Sequence, residues 1–74
     1  IQARMEIAQI NELIRLELPE GDYETIGGFL LQQFGRIPSQ RDELYFDTPR
    51  GPLKFTIYKA NERQIESVQV EVLD

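Results

Sequence analysis

The apolar positions of this chain change their period midway. From Ile7 they fall at Ile7, Ile10, Leu13 and Ile14, a spacing that draws one stripe along a helix. Glu6, Gln9, Asn11, Glu12 and Arg15 make up the face predicted to meet solvent. The stretch LELPEGDYET, residues 16–25, interrupts the pattern. Pro19 disfavours helix at Leu18, and Gly21 allows a turn. A second helix is predicted to start near Tyr23. Asp22 is its expected N-cap, with a carboxylate that accepts from the amides of the next turn, and Glu24 adds favourable charge at the positive end. Ile26, Phe29, Leu30, Leu31 and Phe34 form a wider apolar face, so this helix is expected to be the more buried of the two. Gly35 fits the left-handed residue that closes a helix, and Pro38 prevents an early restart.

After SQRD the period falls to two. Leu44 and Phe46 oppose Tyr45 and Asp47; past TPRGP, Leu53, Phe55 and Ile57 oppose Lys54, Thr56 and Tyr58. KANER, residues 59–63, reads as a polar turn. Val68, Val70 and Val72 then alternate with Gln69 and Glu71, but Ile65 is out of phase, which predicts a bulge near Glu66 and Ser67. Ile1–Arg4 reads as the tail of a further strand. The predicted fold is α+β in two layers, two helices packed on a small, mainly antiparallel sheet of three to four strands, as one domain over residues 1–74.

At 74 residues the chain has room for one small core and little room for a deep cleft. It contains no cysteine and no histidine, which removes disulfides, thiolate nucleophiles, imidazole bases and the usual zinc and haem ligands. Thirteen acidic against eight basic side chains give a net charge of −5, the wrong sign for neutralising nucleic-acid phosphates, so no nucleic-acid partner is expected. No apolar run approaches the roughly 18 residues that span a bilayer. The first residue is Ile1 and not methionine, which leads to the expectation of a soluble piece of a longer protein.

Gly27 and Gly28 are the first candidates for chemistry. Each costs roughly 1 kcal/mol relative to alanine inside a helix, so a reason is needed. Backbone approaching a ligand phosphate is one reading; close packing against a strand or the first helix is the other. An N-cap at Asp22 would leave both amides inside the helix, which favours packing. Asp42, Glu43 and Asp47 flank the first clear strand and are weak candidates for holding Mg²⁺ or Ca²⁺, since their spacing matches no calcium loop and solvated strand-end carboxylates are the favoured reading. Paired carboxylates for acid–base work need a pocket that separates their pKa values, and nothing in the pattern predicts one. No enzyme activity is expected. Arg36, just after Gly35, can grip an anion or bond the last helix carbonyls, and the capping role is favoured. Arg63 carries the same ambiguity.

Taken in order, LPEGDYETIGGFLLQQFGRIP, DEL and LKFTIYKANERQIESVQVEVL resemble the transporter-associated domain of CorC and HlyC-like bacterial proteins. The resemblance runs from about Ile7 to Leu73, with INELIRLELP similar to its opening helix and loop. Its most specific residues are Asp22, Tyr23, Thr25, Gly27, Gly28, Gly35, Arg36, Ile37 and Pro38, which the resemblance implies to be structural; Phe55, Arg63, Ile65 and Val68 follow in the closing strands. DTPRGP departs from the pattern as a longer connection between two strands. The resemblance implies a regulatory module of magnesium and cobalt efflux or hemolysin-like membrane proteins. Its implied partners are a CBS-domain pair and a transmembrane domain of the same chain, on the cytoplasmic side of the bacterial inner membrane. A homodimer is a further expectation, from an exposed strand edge. The fold's similarity to part of certain flavin-binding domains keeps FAD as an alternative ligand, beside a divalent cation.

Overall fold

The computed structural model describes residues 1–14, 17–19, 21 and 23–73, with the Ile14 side chain excepted. Among them two helices precede three strands: α1 (Ile7–Ile14), α2 (Ile26–Phe34), β1 (Glu43–Thr48), β2 (Gly51–Ala60) and β3 (Ile65–Val72). The sheet is antiparallel, in the order β1-β2-β3, and the predicted two-layer α+β architecture is what forms. Its core joins Ile7 and Ile10 of α1, Ile26, Phe29 and Leu30 of α2, and Leu53, Phe55, Ile57, Ile65 and Val68 of the sheet. Phe29 is the hub, with ring centroids of Tyr23, Phe46 and Phe55 at 5.3, 5.1 and 6.0 Å and tilted or edge-on geometries that aromatic quadrupoles favour.

Helix α2 begins at Ile26, the first of its apolar positions, and later than the expected start near Tyr23. Its N-cap is Thr25, extended at φ −114° and ψ 161°, and not Asp22. Pairing explains the delay: Ile7 N–H donates to the Glu24 carbonyl at 2.9 Å, and Glu6 and Thr25 form an antiparallel bridge that keeps Thr25 extended. Asp22, the expected cap, lies outside the described residues. At the other end Gly35 is left-handed at φ 71°, as expected, and its N–H donates to the Leu31 carbonyl.

Helix α1 buries Ile7 and Ile10, but Leu13, assigned to the same stripe, is 65% exposed in the last turn. Asn11, assigned to the solvated face, instead clasps the following loop. Its amide donates to the Leu18 carbonyl and its oxygen accepts from the Leu18 N–H, at 2.9 and 2.8 Å. Leu18 is buried beneath this clasp.

The sheet contains a pair of offsetting irregularities. Ile57 faces Val68 and Ala60 faces Ile65, but Lys59 faces Ser67, so the register slips by one residue and returns. Tyr58 is the extra residue on β2, and Glu66 is the extra residue on β3, where the phase of Ile65 predicted a bulge. Ile65 and Val68 thereby reach the same core. Val72, predicted to face inward, is 59% exposed at the free end of an edge strand. The expected long connection at DTPRGP is also absent. Thr48 pairs with Gly51, which leaves only Pro49 and Arg50 between the strands. The Thr48 hydroxyl closes this turn by accepting from Arg50 N–H and donating to the Gly51 carbonyl. Arg50 also reaches Glu17 at 3.4 Å, linking the hairpin tip to the first loop.

Candidate functional site

The glycine pair occupies the first turn of α2, where amides have no carbonyl within the helix to bond. This position would suit an anion if those amides were free. They are not. Ile26 N–H donates to the Met5 carbonyl at 2.9 Å and Gly27 N–H to the Ala3 carbonyl at 2.8 Å. Gly28 N–H donates to the Thr25 hydroxyl oxygen at 3.1 Å, and the amide of Phe29 begins the helical ladder by bonding the Thr25 carbonyl. The first three helical donors are therefore consumed by the N-terminal segment and the cap.

Packing explains Gly27 directly. A Cβ there would lie 2.9 Å from the Ala3 carbonyl oxygen and 3.0 Å from the Ala3 methyl group, so a backbone would have to move. The close neighbour is the N-terminal segment, and not a strand of the sheet or α1. Gly28 is less confined, since its Cβ would meet Tyr23 Cβ at 3.1 Å and the Thr25 hydroxyl at 3.4 Å. Ala3 completes the arrangement from the other side, because its N–H donates to the Glu66 carbonyl of β3.

An open groove of about 690 Å³ runs beside this junction. Arg4 and Lys59 line it with Gln64, Glu66 and Ser67, as do Gly27 and Gly28. Sequence periodicity did not single out Ala3, Arg4 or Lys59, because the junction depends on long-range contact between the chain start, α2 and β3.

The remaining signature residues are distributed around this centre. Tyr23 lays its ring against Phe29 and donates its hydroxyl to the Pro19 carbonyl at 2.7 Å, and desolvation raises its pKa above the ordinary phenol value. Arg36 does not reach the helix carbonyls assigned to it; its guanidinium donates to the Ile37 carbonyl and to Asp42, at 3.4 and 3.2 Å, and lies near the Phe34 ring. Pro38 is buried. Arg63 donates its backbone N–H to the Asn61 side chain in the β2–β3 turn.

Asp42, Glu43 and Asp47 are not brought together. Asp42 accepts from Ser39 N–H and from Arg36, and the first of these bonds does most to hold its carboxyl below the usual range. Glu43 pairs with Lys54 at 3.0 Å and holds that ammonium group's pKa above its ordinary value. Asp47 sits exposed opposite Pro52. Among the described residues, no three acidic side chains converge as a metal-binding group.

The family model for the CorC_HlyC transporter associated domain matches residues 1–74. The magnesium and cobalt efflux protein CorC of Buchnera aphidicola subsp. Acyrthosiphon pisum (strain APS) is 28% identical over 97% of the chain, which spans only 23% of that relative's length. The transporter associated domain CorC_HlyC from Nitrosomonas europaea superposes with a TM-score of 0.83 at 29% identity, covering 99% of this chain and 84% of that one. A hemolysin domain from Enterococcus faecalis V583 gives 0.81 at 26% identity, covering 100% and 86%. With the family match running the whole length of the chain and the fold shared with these domains, this protein belongs to the CorC_HlyC transporter-associated domain family.

Proposed function

We propose that this domain is a non-enzymatic accessory module that modulates ion transport in a magnesium/cobalt efflux or hemolysin-like protein. It acts by docking on other parts of that protein, a CBS-domain pair and a transmembrane domain, or on a second copy of itself. Its proposed place is the cytoplasmic face of the bacterial inner membrane. The observation that carries the reading is the family match over residues 1–74, in a transporter-associated family rather than a known enzyme family. Docking biases transport only if the module binds two transporter states unequally. Magnesium and cobalt efflux from cells carrying the parent protein, with and without this domain, tests the proposal. Altered flux at unchanged protein level is expected, and equal flux would count against modulation.

A second reading, a small-ligand sensor taking a divalent cation or FAD, draws on the groove beside Arg4 and Lys59 only for the anionic FAD, because two cationic side chains repel a divalent ion. It predicts that Mg²⁺, Ca²⁺ or FAD raises the melting temperature by linkage. An unchanged melting curve at millimolar cation and excess FAD would remove it.

A further inference from the structure

Residues 1–6 are held by backbone hydrogen bonds from two sides. Ile1 and Val68 exchange both backbone hydrogen bonds, at 2.9 and 2.8 Å, and Ala3 N–H reaches the Glu66 carbonyl at 2.9 Å. On the other side, the Ala3 and Met5 carbonyls accept from the Gly27 and Ile26 amides. Residues 1–6 are thus a strap lying between the edge of β3 and the first turn of α2. Ala3 bonds both sides at once, its N–H to the sheet and its carbonyl to the helix.

Little apolar burial reinforces these bonds. Ala3 contributes one buried methyl group and Met5 is half-buried, whereas Gln2, Arg4 and Glu6 are exposed and Ile1 is 40% exposed. Segments held mainly by backbone bonds near solvent open at lower free energy than the core. Lifting the strap would bare the β3 edge at Glu66–Val68 and leave the Ile26 and Gly27 amides without acceptors in the same event.

We infer that residues 1–6 are a detachable strap that couples the edge of β3 to the N-terminal cap of α2, so that displacing these residues loosens both together. Gly27 is the residue that allows it to close. This inference stands apart from the docking proposal, since it concerns an equilibrium within the domain and needs no partner.

Native-state hydrogen exchange on the unaltered chain, resolved by residue in rising denaturant below the unfolding transition, is the test. The amides of Ala3, Ile26, Gly27 and Val68 should open as one unit, at least about tenfold more often than the central-strand amide of Ile57. Gly27→Ala should raise exchange at Ala3, Ile26 and Val68 and spare Ile57; Gly28→Ala, whose added methyl faces Tyr23, should leave the strap amides unchanged. Strap amides exchanging only with Ile57, or the helix amides opening independently of Ala3 and Val68, would overturn the inference. Should Gly27→Ala fail to fold, the unaltered chain still decides.

Discussion

Gly27 and Gly28 are adjacent, but a methyl group added to each would meet different neighbours. At Gly27 it would strike the Ala3 backbone at 2.9 Å; at Gly28 it would press on Tyr23 Cβ at 3.1 Å. Gly27→Ala should therefore destabilise by about 1–3 kcal/mol despite the gain in helix propensity, and Gly28→Ala by less. Urea denaturation of both variants checks the ranking. Thr25→Ala should cost about 1 kcal/mol by freeing the Gly28 amide, with Thr25→Ser close to neutral. Asp42 supplies a pH prediction. Its folded-state pKa is depressed below the ordinary 3.8, chiefly by the Ser39 N–H and further by Arg36. The folded state therefore binds protons less readily than the unfolded chain, and the contribution is complete above the unfolded value. It is lost as pH falls through the lower folded value. Asp42→Asn should flatten this part of the acid limb in melting temperature measured from pH 5 down to about 2.

At the scale of elements, the two bulges matter because they occur as a pair. Tyr58 is extra on β2 and Glu66 is extra on β3, so the strands leave register and regain it. Deleting either residue alone should destabilise by about 1–3 kcal/mol, because one strand would then present the wrong face to its partner. Deleting both should recover part of the loss, a non-additive result measurable by the same denaturation series. The phase of Ile65 made one bulge legible in the sequence. Its partner was not, because Tyr58 continues an unbroken alternation that conflicts with nothing until β3 is laid beside it. The end of α2 was legible for a local reason, the left-handed Gly35. Its start was misread because Glu24 and Thr25 pair with the distant residues Glu6 and Ile7, a contact no local spacing records. The same limit hid Asn11, whose clasp on Leu18 closes a loop.

At the scale of the molecule, apolar alternation and the two helical stripes were enough to specify the α+β class, because each element needs its apolar face covered. The candidate site was less legible. Its signature residues could be marked from the sequence, but the reason for Gly27 lies in Ala3, which no motif emphasised. The domain's most recognisable stretch is an internal joint, and its proposed work is done by docking. Calorimetric titration of this domain with the CBS-domain pair expected in its parent protein tests that most directly. A saturable heat of binding is predicted, with a matching shift in the domain's melting temperature by linkage. No heat and no chemical-shift change with both components at high concentration would contradict it.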